Sequence, residues 1–436
     1  MTDVRCMVDN DHITIYKYDT DKFKSENLSV YFSLPTCREK SIARSLLLSV
    51  LKRGTEKYPS QKHINEKLDE LYATLVDLKN QKFDNTQLLG ISADIIYSSY
   101  TDEGDDLLPD TLDVVSQLLF HPARDEETGE LLKEYLESEK ENYKSIILSQ
   151  INEPRSYAAI RCREEMFASL GIVDKLDTMC QKIDDTTLDE ICECYSEMLE
   201  DAKMLVFYVG KRSDEELEKH ILSMLQDKKV CDCSKKQKNV KRLGSLVEPN
   251  IIVEETDLSQ SRLVIGFNCQ TTWRDEDYYA MLLCNEIFGA SPMSKLMMNV
   301  REKLSLCYEC SSVYNSARGA IFATTGIDKE NYELAKNAIM SELYDIKRGL
   351  VSEQELNAAK KSIHNVYSSV SDSPESIERF YIGRLVNEVD VDIDEFLKKI
   401  DELTIEDIKS AASKITPHTI FFLCGNGDEE EDQFYE

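Results

Sequence analysis

The stretch Asn299 to Cys310, NVREKLSLCYEC, gathers several residue types that can do chemistry: a charged helix end carrying Arg301 runs into an alternating segment carrying Tyr308. Cys307 and Cys310 make a CxxC pair there, which in a reducing compartment raises a redox or metal reading. Alternation puts residues three apart on opposite faces of a strand, so the two sulfurs can share a bond or a ligand only if the backbone turns between them. On residue type alone, Arg301 reads as a cation suited to the dipole at a helix C-terminus. Tyr308 reads as one more half-buried strand residue among 21 tyrosines.

Other sites are tested by elimination. A hydrolytic zinc centre needs three protein ligands and an open position, and ligands three or four residues apart share a helix face. The histidines are His12, His63, His121, His220, His364 and His418, so no two lie within one helical turn. Neither HExxH nor HxxEH occurs. Cys192 and Cys194, like Cys231 and Cys233, are separated by one residue rather than the two of a zinc knuckle. Gly425-Asn426-Gly427 is followed by acids and no helix, so it is no phosphate cradle. P-loop and GxSxG patterns are absent.

The 436 residues, 42% of them apolar, are enough for two large cores. With 82 acidic and 52 basic side chains the net charge is -30, which disfavours nucleic acid or an anionic membrane as a partner. Thirteen scattered cysteines in so long a chain read as reduced thiols rather than a disulfide framework. The opening residues lack an apolar leader and no 18-residue apolar run occurs, so the expectation is a soluble cytoplasmic protein.

Alternation predicts strands over Ile13–Tyr18, Leu28–Leu34 and between Gln81 and Tyr97. Helical spacing predicts helices over Ser41–Lys52, with Gly54 as its C-terminal glycine, and from Ser60 through Leu71 and Leu75. Further helices are expected over Asp105–Leu119, Glu126–Ser149 (ended by Pro154), Ser156–Ala168, Leu188–Leu199 and Asp214–Gln226, with a strand over Met204–Val209. Asp227–Pro249 is polar, basic and aperiodic, and reads as a linker. Beyond it the pattern repeats. Leu263, Ile265 and Phe267 fall 235 residues after Leu28, Val30 and Phe32, Gly289 matches Gly54, and Asp372-Ser373-Pro374 matches Asn152-Glu153-Pro154. TIEDI at Thr404 reproduces TLDEI at Thr187. The expected fold is α+β, with two homologous domains (1–226 and 250–427), each a mostly antiparallel sheet with helices packed on one face. Residues 428–436 form an acidic tail expected to be disordered.

Two matching domains, a leucine-rich helix ending at a glycine, REKLSLCY, and the first-half run LLLSVLKRGTEKYPS resemble the insulinase/pitrilysin family of metallopeptidases. Within it the similarity is to bacterial two-subunit members related to mitochondrial processing peptidase, and it spans roughly Ile13 to Gly425. In active members the helix before the glycine carries HxxEH, two zinc ligands and a general base. Counting back from Gly54, those places hold Ser45, Leu48 and Ser49, and the second half has Ala280, Leu283 and Cys284. The family's third ligand maps to Glu139, with Glu141 as the alternative. One carboxylate without imidazoles binds zinc poorly, and leucine takes no proton from water.

The resemblance further implies that Arg301 and Tyr308 are the pair a facing unit contributes near the scissile peptide. A guanidinium presents fixed donors to substrate carbonyls, and a phenol can donate to a developing oxyanion. Sheet edges could hold an unfolded peptide by strand addition. The expected role is therefore a non-catalytic, substrate-binding subunit, with no catalytic residue or cofactor of its own. Zinc would sit on a homologous HxxEH partner; self-association is the other way to pair. A peptide-binding scaffold with no peptidase work, and an autonomous enzyme with an unrecognised site, are the competing readings.

Overall fold

The computed structural model describes residues 4–83, 85–225, 242–387, 389 and 392–425. In the first half, strands β1 (Val4–Asp9), β2 (Ile13–Asp19) and β3 (Ser25–Pro35) precede helices α1 (Ser41–Leu51) and α2 (Gln61–Glu70). The hairpin of β4 (Leu75–Phe83) and β5 (Thr86–Ile96) leads to α3 (Leu108–Phe120), α4 (Lys133–Ile151), α5 (Pro154–Phe167), α6 (Leu176–Asp185) and α7 (Leu188–Glu200). β6 (Lys203–Gly210) and α8 (Asp214–Met224) follow.

The second half opens with β7 (Asn250–Thr256), β8 (Ser261–Asn268) and α9 (Tyr278–Asn285). Two π-helical segments, Glu286–Ala290 and Leu296–Lys303, lead into β9 (Cys310–Asn315) and β10 (Ala320–Ile327). Then come α10 (Tyr332–Lys347), α11 (Glu353–Ser368), α12 (Pro374–Val386), α13 (Ile393–Asp401), α14 (Ile405–Ser413) and β11 (Thr416–Gly425).

The repeat is a repeat of topology. One sheet has the order β1-β2-β6-β3-β5-β4 and the other β7-β11-β8-β10-β9, so the second matches the first strand for strand once β1 is set aside. Each has one parallel pair, β2 with β6 and β7 with β11, among antiparallel neighbours. Local signals recur with it. Thr187 with Glu190, and Thr404 with Asp407, form capping boxes that satisfy the first backbone donors of α7 and α14. Pro154 and Pro374 both occupy the first turn of a helix, where a missing N–H costs nothing, behind the N-cap side chains of Glu153 and Ser373. Thus Pro154 opens α5; α4 has already ended at Ile151.

The compact units do not follow the halves of the sequence. The first sheet's unit takes residues up to 145, 180 to 225 and 369 to 392; the second's takes 146 to 179, 242 to 368 and 393 to 425. So α12 belongs with the first sheet and α5 with the second. On β3, Phe32 meets Phe120 of α3 edge to face, while the neighbouring Tyr31, on the opposite face, donates to Glu378 of α12 at 2.6 Å. On β8, Phe267 stacks on Phe288, while Val264 joins Ala158 and Cys162 of α5 in one buried cluster. A Cβ on Gly266 would meet the Met166 sulfur at 2.7 Å, so a larger residue here would require the Met166 side chain of α5 to shift. Each sheet therefore carries, besides its main helical layer, one helix on its other face drawn from the opposite half of the chain.

Four local expectations change. The helix expected through Leu75 stops at Glu70, because Tyr72 and Ala73 are left-handed (φ 58° and 56°), and Leu75 opens β4 instead. Residues 126–132 precede α4 as turns and a bridge rather than as its first helical turns. Gly54 is not a left-handed cap: a Cβ there would stand 2.8 Å from the Pro59 carbonyl oxygen, and one on Gly289 2.6 Å from Ser312 Oγ. Both glycines are needed for close approach rather than for φ. Finally, the end of the proposed linker is packed, with Leu243 buried against Met166, Phe167 and Ala320; the rest of it to residue 241, including Cys231 and Cys233, and the tail 428–436 lie outside the described residues. Among the described residues no helix is long and apolar enough to cross a membrane.

Candidate functional site

The helix that would carry a zinc motif is a core helix. In α1 the side chains of Leu46, Leu47, Leu48, Val50 and Leu51 are buried, Leu48 being 2% exposed. Ser45 and Ser49, one helical turn apart, are half-buried. Ser45 Oγ donates back to the Ser41 carbonyl at 2.9 Å and accepts from Asn80 Nδ2 of β4 at 2.9 Å. These positions offer two hydroxyls and an alkyl group, with no imidazole and no base.

Glu139 on α4 is 13% exposed and already neutralised. Arg53, just beyond α1, donates through Nε to Glu139 Oε1 and through a terminal nitrogen to Ser138 Oγ at 2.7 Å. Asn142 Nδ2 adds a bond to the same carboxylate oxygen at 3.2 Å. Glu141 points elsewhere, largely exposed and paired with Lys144 at 2.6 Å. Arg53 was not anticipated from the sequence, since nothing local marks a pair 86 residues apart. Its guanidinium occupies Glu139 as a metal ion otherwise would, so the residues at this site do not fit zinc.

Arg301 and Tyr308 line one pocket, in the second unit. Together with Glu302, Ser305, Leu306, Cys307, Gly326, Ile327 and Asp328 they line an open pocket of roughly 350 Å³. The π-helical segment bearing Arg301 is anchored on its inner side by buried Leu296 and Val300. Asn299 donates to Glu342 of α10 at 2.8 Å, and Lys295 pairs with Glu355 of α11 at 2.7 Å. Wide i to i+5 bonds, such as Leu304 N to Asn299 O at 3.0 Å, re-aim the last turn, a device that recurs at functional sites. Arg301 is 42% exposed, resting against Met297 Sδ at 3.2 Å and Glu302 at 3.6 Å.

Tyr308 is 80% exposed and stands at a bend before β9 begins, not half-buried in a strand as its sequence context suggests. The alternation in LSLCYEC is therefore not a strand: Ser305 is left-handed (φ 51°) and the chain bends at Tyr308. The backbone thus bends between Cys307 and Cys310 instead of alternating through them. The alternate positions Ala280, Leu283 and Cys284 are buried in α9.

A metal-binding geometry appears once among the described residues: Asp106, Glu216 and His220 have ligand atoms within 4.8 Å of one another. Arg212 donates to both carboxylates, at 2.5 Å to Asp106 and 2.6 Å to Glu216. An ion pair already balances that cluster.

A family profile described as "Peptidase M16 inactive domain" matches residues 185–363. The probable inactive metalloprotease YmfF of Bacillus subtilis (strain 168) is 28% identical over 421 residues, covering 95% of this chain and 96% of that protein. Over nearly its whole length the chain is similar to proteins described as inactive M16 peptidases. A conserved protein from Enterococcus faecalis V583 superposes with a TM-score of 0.86 at 26% identity, over 96% of this chain and 97% of that one. A peptidase M16 inactive domain from Pseudomonas fluorescens superposes at 0.77 and 16% identity, over 97% and 98%. Both the family profile and the Bacillus relative are described as inactive; at the positions that the sequence resemblance assigns to the zinc motif this chain has Ser45, Leu48 and Ser49, and Arg53 holds Glu139.

Proposed function

We propose that this chain is the non-catalytic, substrate-binding subunit of a zinc-dependent peptidase, active on unfolded peptides only together with a homologous chain that retains HxxEH. The observation that carries the reading is the convergence of Arg301 and Tyr308 on one open, solvent-facing pocket. The guanidinium would hold a peptide carbonyl through its fixed donors, and the phenol would donate to oxygen as charge develops on it. Zinc belongs to the partner, which supplies the hydrolytic chemistry; this chain binds and orients. Self-association would pair two pockets without a metal site. The cytoplasm, where reduced thiols persist, is the proposed location.

The test is coexpression with an HxxEH homologue and cleavage of an unfolded peptide by the purified pair. The pair cleaves, and the isolated chain does not while binding less than about 0.1 zinc. Arg301→Ala and Tyr308→Phe in the pair each lower kcat/KM by about 100-fold. Unchanged activity in both variants overturns the substrate role and leaves a scaffold.

A further inference from the structure

Cys307 and Cys310 are left unused by the peptide-binding reading, and the surroundings of Cys307 differ from those of the core thiols. Cys162, Cys269 and Cys284 are sealed in the core, where burial pushes each thiol up to about 12. Cys307 is half-buried and lines the open pocket with Arg301 and Tyr308. Cys310, three residues on across the bend, is buried at the first residue of β9 and paired in register with Thr325 of β10. The neighbouring Cys310 thiol is the main influence drawing the Cys307 pKa down, to about 7; burial opposes this, while Thr325 and Arg301 assist.

Of the charges near Cys307, Arg301 favours its thiolate and Glu309 opposes it. Arg301 is the nearby cation, and Glu302 and Asp328 are on the pocket wall. Glu309, the adjoining anion, is balanced by Arg155 at 2.7 Å and Arg262 at 2.9 Å. The bend at Tyr308 supplies the backbone reversal that two cysteines three apart need before their sulfurs can bond.

We propose that Cys307 and Cys310 form a reversible dithiol–disulfide pair, in which Cys307 exchanges with a low-molecular-weight disulfide and Cys310 resolves it, locking the bend that carries Tyr308. In the first step the Cys307 thiolate attacks one sulfur of R–S–S–R, forming Cys307–S–S–R and expelling R–S⁻, which takes up a proton. Cys310 then loses its proton and attacks the Cys307 sulfur; the bond to S–R breaks and a second R–SH leaves. The two protein thiols are oxidised by two electrons and the small disulfide is reduced to two thiols. The inference does not depend on peptide binding, because its readout is the thiols themselves.

The experiment uses the full chain and oxidised glutathione at neutral pH, followed by N-ethylmaleimide, unfolding and trypsin. The tryptic peptide Leu304–Arg318 holds both cysteines and no others. The expected result is a peptide lighter by two hydrogens and free of maleimide, restored to two labels after reduction. Cys310→Ser should stop at a glutathione adduct on Cys307, and Cys307→Ser should leave Cys310 unmodified in the native chain. In brief native labelling, Cys307 of the wild type should react at least about tenfold faster than Cys162, Cys269 or Cys284. A wild-type peptide that keeps two labels, or that retains glutathione on Cys307 as fully as the Cys310→Ser variant, overturns the proposal even if a variant fails to fold.

Discussion

The helix α1 and the pocket around Arg301, the two places to which the sequence resemblance assigns chemistry, are built in opposite ways. Around α1 the polar groups are occupied within their own unit: Glu139 by Arg53 and Asn142, Ser45 by Ser41 and Asn80. Around Arg301 the contacts come from Met297 and Glu302 on the same helical segment, and Tyr308 projects into solvent. The difference follows from burial. A mostly buried carboxylate without a cation is costly, so an ion pair must take the metal's place. A solvated guanidinium or phenol carries no such penalty and stays available to a ligand.

That comparison breaks or sharpens through stability measurements, read by urea unfolding. The largest effect is expected from Leu48→Glu, which restores the family's acid in a packed site without restoring its ligands. It should cost at least about 3 kcal/mol. A loss under about 1 kcal/mol would mean that α1 faces a cavity able to admit the charge.

Arg53→Ala comes next, at about 2 kcal/mol, less than for a fully buried pair because both partners are partly exposed. Adding Glu139→Gln should return part of that loss. If the double variant is no better than the single, the guanidinium is packing rather than neutralising. Ser45→Ala should cost about 1 kcal/mol, since it removes the hydroxyl's half-buried bonds to Ser41 and Asn80. Arg301→Ala and Tyr308→Phe should lie within about 0.5 kcal/mol of the wild type, their effect falling on activity with the partner instead. A loss of about 2 kcal/mol from either would make the pocket a structural joint and erase the contrast.

The sequence is most legible where the physics is local. Thr187 and Thr404 announce their helices because a capping box needs only residues three apart, and the alternation of Leu28, Val30 and Phe32 against Leu263, Ile265 and Phe267 marks matching strands. It is silent where conformation or partner is set from afar. Tyr72 and Ala73 adopt a left-handed backbone with no glycine to signal it, so apolar spacing carries the expected helix too far. Ser305 does the same before the CxxC, turning an apparent strand into a bend. Arg53 and Glu139, and Tyr31 and Glu378, are partners that only the fold brings together. Of the site residues, the pairing of Arg301 with Tyr308 came from family resemblance, and the pocket they share came from the structure.

The exchange of α5 and α12 between the halves of the chain bears on how this protein can be taken apart. Each sheet buries one face under a helix encoded on the far side of the polypeptide's midpoint, so a fragment ending there would carry an uncovered sheet and a helix with nothing beneath it. Two such fragments are complementary, each holding the other's missing layer. Expressed alone they should aggregate, and expressed together they should reassemble without a covalent joint. The molecule behaves less like two beads on a string than like two hands each wearing the other's glove.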